Sequence, residues 1–232
     1  MLRLRQSRSQ RGRQPSYSRD QIAEAAVRVA DLEGVDAASM RRVATEIGTR
    51  ATSLYRYVRS KEELLDLMVD RVTGETGIPA PSGDWREDLR TIADHMRSLV
   101  KRHPWMISIP LFRSALGPNS LAIFEATLKA LDGIGLAPDN MLVIATALST
   151  FTRGYAAAEM AEQQTAARSG LGREQWMISQ MRYVEIIRQS GEYPLFMRMV
   201  DDASLPHDPK LMQRAFEESL EYFLDGIEAR LS

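Results

Sequence analysis

Two short helical segments separated by only Gly48 and Thr49 place the strongest constraint on how this chain can fold. The first segment, residues 40–47, follows the capping residue Ser39 and keeps its apolar side chains on one face. The second segment, residues 50–57, is apolar on one face and carries polar and aromatic groups on the other. Because a glycine lets the chain turn sharply at a helix end, this spacing predicts a helix-turn-helix motif.

Further capping patterns divide the amino-terminal part of the chain into helices. Ser18 and Gln21 open a first helix that we expect to extend to about residue 33. Ser60 and Glu63 repeat the pattern and open a fourth helix that extends to about Gly74. The Pro- and Gly-rich stretch TGIPAPSGD then marks a domain boundary. We therefore expect a disordered Arg-rich arm over residues 1–17, a helix-turn-helix domain over 18–74 and a second domain over 75–232.

Every segment after that boundary has helical periodicity, and none alternates in the way of a half-buried strand. The predicted helices are 85–103, 119–134, 138–167, 174–189 and 208–231, with a short apolar helix or loop over 105–114. Glycine or proline separates neighbouring segments, and we interpret the GEYP stretch over residues 191–194 as one such break. The sequence thus predicts an all-α fold with an amino-terminal three-helix domain and a helical carboxy-terminal domain.

Charge separates the two parts of the chain. Residues 1–61 contain 13 Lys and Arg against 6 Asp and Glu, a balance of +7, whereas the whole chain carries −1. Six of those 13 basic residues lie in residues 1–19. A basic end on an acidic body favours contact of that end with a polyanion. The chain has no cysteine and no apolar run of membrane-spanning length, so we expect a cytoplasmic protein without disulfides.

The second helix of the motif carries groups that can read a DNA groove. At 100° per residue, Ala51, Leu54 and Val58 share the buried face and Tyr55 lies at the border. The residues that point away are Thr52, Ser53, Arg56 and Tyr57. Arginine can donate two hydrogen bonds to guanine, and hydroxyls serve several base edges or phosphates. The alternative for the tyrosines is that they cover the core of a small domain. The candidate DNA-binding residues are Ser39, Arg41, Arg50, Thr52, Ser53, Tyr55, Arg56, Tyr57 and Lys61.

Taken together, the segments RRVA..IG and SLYRYV..KEELL resemble the DNA-binding unit of the TetR family of one-component bacterial transcription regulators. The stretch from LVKRHPWMI to LGPNSLAIFEATLKALDGIGL is similar to the ligand-binding domain of its tetracycline-repressor-like subgroup. The resemblance implies a homodimer that binds a palindromic operator and is released by a small molecule. It implies operator contacts from Arg41, Thr52, Ser53, Tyr55, Arg56, Tyr57 and Lys61. We also hypothesise that Arg11 and Arg13 in the arm reach a minor groove.

The predicted helices over residues 138–167 and 208–231 are candidates for the core of that dimer. Their apolar stripes contain Met141, Ile144, Ala145, Leu148, Phe151 and Thr152 in the first helix, and Leu211, Ala215, Leu220, Phe223, Leu224 and Ile227 in the last. Two such helices from each chain would form a four-helix core. The alternative is that both helices are buried inside one domain.

A ligand pocket needs apolar walls and a few placed polar groups. The candidate walls are Trp105, Met106, Phe112, Phe124, Phe151, Trp176, Met177 and Met181, and the candidate polar groups are Arg113, Arg153, Tyr155 and Glu159. Each of them is alternatively an ordinary core residue. Arg153 lies inside an apolar helix, so it must find a partner.

The family resemblance also limits the ligand. Tetracycline-binding members use a histidine before the LGPN motif to hold a magnesium complex, and the stretch WMISIPLFRSALGPN has no histidine. We therefore expect another, largely apolar organic effector, with no metal and no cofactor.

An S-x-x-K match at residues 98–101 lacks its companion motifs, so we expect no enzyme. The alternative among binding proteins is a DNA-binding regulator that is controlled by a protein partner.

Overall fold

The computed structural model describes residues 17–110, 117–204, 208 and 210–231, and these ranges contain helices and no strand. The helices are α1 (Arg19–Glu33), α2 (Met40–Glu46), α3 (Ala51–Leu54), α4 (Lys61–Thr73), α5 (Trp85–Arg102), α6 (Pro118–Leu131), α7 (Pro138–Ser169), α8 (Arg173–Ser190), α9 (Pro194–Asp202) and α10 (Leu211–Glu228). Two 3-10 turns, Val35–Ala37 and Pro104–Ser108, complete the secondary structure of the described residues. The all-α prediction is confirmed.

Side-chain caps fix where the amino-terminal helices begin. Ser18 and Gln21 exchange two hydrogen bonds, at 3.1 and 2.9 Å, which is the predicted capping box. Ser39 and Ser60 each accept a hydrogen bond from the backbone N–H three residues further on, at 3.2 and 3.1 Å. Local chemistry that is visible in the sequence therefore sets the starts of α1, α2 and α4.

The turn between α2 and α3 depends on Gly48, whose φ of +71° lies in the region that side chains with a Cβ rarely adopt. The α-helix that follows ends at Leu54, three residues before the predicted end. Beyond Leu54, the N–H of Tyr57 donates to the carbonyl of Leu54 at 2.8 Å. Donor and acceptor are three residues apart, which is the spacing of a tighter turn than the α-helix. We call residues 50–57 the recognition segment.

The helices α1 to α4 enclose a core of their own. Leu54 and Val58 are fully buried in it, as the predicted inward face requires. The buried members of this amino-terminal core are Ile22, Ala25, Ala26, Val27, Val29, Ala30, Ala38, Met40, Val43, Ala44, Leu54, Val58, Leu64, Met68, Val72 and Trp105. Burying apolar surface of this extent stabilises the unit and holds the recognition segment against it.

Trp105 reaches that core from the 3-10 turn beyond α5. Its Nε1 donates to Asp31 Oδ1 on α1 at 2.7 Å. The ring nitrogens of the buried His103 lie 2.9 Å from Asp31 Oδ1 and 3.0 Å from Glu75 Oε2. The turn that follows α5 is thus attached directly to the amino-terminal helices.

A second attachment joins α4 to the first turn of α6. The Asp70 carboxylate on α4 accepts hydrogen bonds from the backbone N–H groups of Asn119 and Ser120, at 2.9 and 2.8 Å. These N–H groups have no partner within their own helix, so Asp70 caps α6 from outside. The approach requires Gly117, because a Cβ there would lie 2.2 Å from the Asp70 side chain.

The carboxy-terminal domain has a separate core between α5, α6, α7 and α10. Its buried members are Leu89, Ile92, Ala93, Ala130, Leu131, Leu148, Phe216, Leu220, Leu224 and Ile227. Arg97 on α5 is buried beside it, where it bonds Glu159 on α7 at 3.0 Å and Gln213 on α10 at 2.6 Å. The ion pair joins α5 to α7, and the hydrogen bond to Gln213 adds α10.

One helix was absent from the sequence prediction. The GEYP stretch was interpreted as a break, yet α9 begins at Pro194 and continues to Asp202. Proline is well suited to the first position of a helix, since its fixed φ matches and its missing N–H would have no helical partner there.

Candidate nucleic-acid interface and ligand-binding region

Six of the nine predicted DNA-binding residues have exposed side chains. They are Arg41, Arg50, Thr52, Tyr55, Arg56 and Lys61, whereas Ser39, Ser53 and Tyr57 are half-buried. The hydroxyl of Ser39 is used by the cap of α2. Basic, hydroxyl and phenol groups are therefore presented together by α2, the recognition segment and the start of α4.

The two tyrosines of the recognition segment are arranged differently from the helical prediction. Tyr55, which was predicted at the border, is 52% exposed. The outward orientation predicted for Tyr57 is wrong, because its ring packs against the amino-terminal core. The helix has already given way to a tight turn at this point, so the spacing of 100° per residue no longer holds. A DNA contact from Tyr57 stays a prediction.

The arginines on this surface differ in their ion pairing. Among the described residues, Arg41, Arg50 and Arg56 form no ion pair. Lys61 has one distant partner, with 3.8 Å between its Nζ and Asp36 Oδ1. The three guanidinium groups are thus available for an anion such as a phosphate or for a base edge.

Arg42, the neighbour of Arg41, shows the contrast. Its guanidinium bonds Glu33 at 2.6 Å and Glu46 at 2.9 Å, and these carboxylates raise its pKa. The sequence did not separate the two adjacent arginines by their partners. Only the folded arrangement of α1 and α2 shows that one is paired and the other is free.

The predicted ligand-pocket residues do not converge on one place. Trp105 lies in the amino-terminal core, and Met106 packs between that core and a small cluster on α5 and α7. Phe124 is exposed on α6. Phe112 and Arg113 lie outside the described residues.

Phe151 and Tyr155 belong to an aromatic cluster inside the carboxy-terminal core. Their ring centroids are 4.9 Å apart, and Phe151 stacks on Phe216 and Phe223 of α10 at 5.5 and 6.2 Å. The Tyr155 hydroxyl bonds Ser219 at 2.6 Å. Both predicted pocket residues therefore join α7 to α10 within the chain.

Arg153 finds its partner on the backbone. Its Nη2 donates to the carbonyls of Met106, Ile107 and Ile109, at 2.8, 3.1 and 2.5 Å. Burial lowers the pKa of Arg153. One side chain of α7 thus holds the 3-10 turn that also carries Trp105 into the amino-terminal core.

Glu159, the other predicted charged group of the pocket, is fully engaged by basic residues. It accepts hydrogen bonds from Arg97 at 3.0 Å and Lys101 at 2.6 Å. Burial opposes ionisation, but the hydrogen bond from Lys101 and the charge of Arg97 prevail and lower the pKa of Glu159. This carboxylate holds α5 to α7.

A cavity of about 860 Å³ lies between α8 and α9. Of the predicted pocket residues, Met177 and Met181 line it, whereas Trp176 on the same helix does not. The other lining residues include Ile178, Val184, Val200, Arg188 and Asp208, which the sequence interpretation missed. The helical spacing of Met177, Met181 and Val184 could have indicated one shared wall.

An ion pair fixes the two helices that form this cavity. Arg188 on α8 bonds both carboxylate oxygens of Asp201 on α9, at 2.8 and 2.7 Å. The hydrogen bond from Arg188 lowers the pKa of Asp201. Within the described part of the chain, α8 buries none of its own residues. The apolar face of this helix is thus open to a ligand or to another surface.

The predicted dimer stripes are largely used inside the chain. Leu148, Leu220, Leu224 and Ile227 are buried in the carboxy-terminal core, so these positions are not free for a partner. The large apolar residues that α7 and α10 leave exposed, among the described residues, are Leu142, Val143 and Tyr222.

Comparison with known proteins assigns this architecture to a family. Residues 22–68 match the family of bacterial regulatory proteins named tetR, and residues 78–231 match the tetracyclin repressor-like carboxy-terminal domain. The chain belongs to the TetR family. The resemblance inferred from the sequence motifs is therefore confirmed.

Individual relatives extend this TetR assignment over most of the chain. The HTH-type transcriptional repressor DrrR1 of Streptomyces coeruleorubidus is 35% identical, covering 95% of this chain and 81% of its own length. An HTH-type transcriptional regulator of Saccharopolyspora erythraea is 30% identical over 93% and 86%. The structure of ActR from Streptomyces coelicolor with actinorhodin has a TM-score of 0.71 at 30% identity, covering 92% and 96%. The chain is a helix-turn-helix transcriptional regulator.

Proposed function

We propose that this TetR-family protein is a one-component repressor that binds a palindromic operator in double-stranded DNA and is released by a small organic effector. The observation that carries the proposal is the surface of Arg41, Arg50 and Arg56, which are exposed and have no ion-pair partner among the described residues. DrrR1, a repressor by name, is similar over nearly the whole chain. The domains are proposed as residues 18–74 for DNA and 75–232 for effector and dimer.

The protein acts as a homodimer in this proposal. Two recognition segments must meet successive major grooves about 34 Å apart, so two chains have to be joined rigidly. The exposed apolar residues of α7 and α10, Leu142, Val143 and Tyr222, are suited to such a contact. The arm of residues 1–17 would add basic contacts, although residues 1–16, with Arg11 and Arg13, lie outside the described residues.

The effector binds the cavity between α8 and α9. A volume of about 860 Å³ is ample for an organic molecule, and the lining by Met177 and Met181 favours a largely apolar one. The related ActR structure contains actinorhodin, which supports a small molecule over control by a protein partner. The missing histidine before LGPN argues against tetracycline–magnesium.

The remaining parts of the proposal concern chemistry and location. The protein works by binding alone, with no catalytic residue, because the family consists of bacterial regulatory proteins. No metal or cofactor is part of the proposal, because the histidine that holds the magnesium complex in tetracycline-binding members is missing. It works in the cytoplasm, where its DNA lies. No helix in the described ranges combines the length and apolar character needed to cross a lipid bilayer.

The test begins with mapping of the protein on genomic DNA, followed by a screen of compounds linked to the neighbouring genes for release of the bound site. We expect one palindromic sequence and at least one releasing compound. Met181→Ala should then raise the concentration needed for half release by about tenfold, since a bound effector would cover this exposed methionine, and full burial of such a side chain contributes roughly 1.5–3 kcal/mol.

The control is Met212→Ala, because Met212 is a methionine of the same domain that does not line the cavity. A protein that binds all DNA equally would contradict the operator. If a releasing compound acts equally on wild type and Met181→Ala, the effector does not bind between α8 and α9.

A further inference from the structure

Arg19, the first residue of α1, joins two segments that follow it by about forty residues in the chain. Its Nη1 donates to the carbonyl oxygen of Tyr57 at 2.6 Å, at the end of the recognition segment. Its Nη2 donates to Glu63 Oε1 in the first turn of α4, also at 2.6 Å. One guanidinium thus fixes the end of the recognition segment relative to α1 and α4.

Glu63 completes this arrangement with its second oxygen. Glu63 Oε2 accepts the backbone N–H of Arg59 at 2.7 Å, whereas a regular capping box would direct it to the N–H of Ser60. The hydrogen bond from Arg59 and the one from Arg19 lower the pKa of Glu63. The chain between Tyr57 and Glu63 is therefore held at both of its ends.

The recognition segment needs external support of this kind. Its helix, α3, has only four residues, and a helix of that length is not stable by itself. Burial of Leu54 and Val58 fixes its depth in the core, but apolar contacts have little directional preference. Hydrogen bonds are directional, so the bond from Arg19 to the Tyr57 carbonyl sets the angle at which the segment leaves the core.

Charge gives a second reason to single out Glu63. The same domain presents Arg41, Arg50, Arg56 and Lys61, all exposed, as candidate DNA contacts. A carboxylate at the edge of a surface that meets phosphates is repelled by DNA, so charge alone predicts tighter binding without it. A carboxylate that positions the recognition segment predicts the opposite change.

We propose that Arg19 and Glu63 are positioning residues for operator recognition, which hold the recognition segment at the angle that enters the major groove and do not themselves contact DNA. The inference rests on the proposed operator binding. Arg19 differs from Arg41, Arg50 and Arg56, because both terminal nitrogens of its guanidinium already donate hydrogen bonds within the protein.

The test measures operator and non-specific DNA affinity of the full-length dimer by fluorescence anisotropy over a series of salt concentrations. We expect Glu63→Gln to weaken operator binding by about tenfold, because one amide oxygen cannot serve both Arg19 and Arg59. Non-specific affinity should be unchanged or slightly higher. Glu24→Gln is the matched control, since Glu24 pairs with Arg28 at 3.0 Å on the same domain and its loss should not weaken the operator complex.

Arg19→Lys separates positioning from direct phosphate contact. A lysine keeps the charge but cannot bridge two acceptors with a planar fork, so we expect about tenfold weaker operator binding with an unchanged salt slope. An Arg19→Lys variant that binds like wild type, or an Arg19→Gln variant whose salt slope falls by about one, would identify a phosphate contact and overturn the proposal.

The outcomes separate this inference from the function on which it rests. Equal or tighter operator binding by Glu63→Gln, with wild type still specific, overturns the positioning role alone. Loss of specificity in wild type itself would overturn the proposed function. Circular dichroism and retained non-specific affinity verify that each variant is folded, so a weakened operator complex supports the proposal.

Discussion

The amino-terminal domain and the α8–α9 region use their apolar residues in opposite ways. The amino-terminal domain buries a continuous apolar core around Leu54 and Leu64, so the surface that it offers to DNA is polar. In the second, α8 buries none of its residues, and Met181 is 65% exposed. The difference indicates that the DNA-binding unit covers its apolar residues within one chain, whereas the α8–α9 region leaves an apolar face uncovered.

The largest expected effect is on the stability of the amino-terminal domain, whose core surrounds Leu54. Leu54→Ala should lower the free energy of unfolding by about 2–5 kcal/mol, because it leaves a cavity at a position with no solvent exposure. Denaturant unfolding measures the change. The control is Leu32→Ala, at a residue of the same domain that is 81% exposed, where a change within about 0.5 kcal/mol is expected. Equal effects at the two positions would mean that the unit is not organised around this core.

The connection between the two regions is tested by Arg153→Ala. Loss of three hydrogen bonds to the 3-10 turn should cost about 1.5–3 kcal/mol of unfolding free energy. It should also weaken release by the effector without changing operator affinity in its absence, because Arg153 lies away from the recognition segment. Anisotropy with and without effector measures both quantities. Reduced operator affinity without effector, together with a normal response, would show that Arg153 has no part in the connection.

The polar surface of the amino-terminal domain is tested by Arg56→Ala. An arginine that donates to a base edge contributes about 1–3 kcal/mol of discrimination, so operator affinity should fall while non-specific affinity changes less. Arg42→Ala is the matched control, since Arg42 is occupied by Glu33 and Glu46. If both variants lose specificity equally, the exposure of an arginine and its lack of an ion pair do not identify the residues that bind DNA.

The same contrast explains what could be predicted from the sequence. Caps at Ser18, Ser39 and Ser60 and the turn at Gly48 are local signals, so the helix-turn-helix motif followed from the sequence alone. The orientation of Tyr57 depends on where a short helix gives way to a turn, which no local pattern fixes.

The pocket was harder to predict because its signals are tertiary. Phe151 and Tyr155 look like walls in the sequence, yet both are half-buried and pack on aromatic rings of α10 at the edge of the core. The α8–α9 cavity depends on α9, whose start at Pro194 was interpreted as a break. Apolar periodicity shows that a face will be covered but does not identify what covers it.

The smallest expected effect concerns the acid stability of the carboxy-terminal domain, in which ion pairs join α5 to α10. Glu221 on α10 bonds Arg90 at 2.6 Å and Arg86 at 3.2 Å, and the hydrogen bond from Arg90 is the main reason that its pKa falls to about 2. A lowered pKa adds stability that is complete above the ordinary value near 4.5 and is lost as the pH falls toward about 2. Because Glu221 is partly exposed, solvent reduces the size of this contribution.

Glu221→Gln should therefore lose stability at neutral pH and show a shallower fall in unfolding free energy between about pH 5 and pH 2 than wild type. Denaturant unfolding over that range measures the slope. Glu125→Gln serves as the control, since it removes the same charge from an exposed carboxylate 3.7 Å from one lysine, and its slope should follow wild type. Identical slopes for wild type and both variants would show that the ion pairs between α5 and α10 do not stabilise the carboxy-terminal domain.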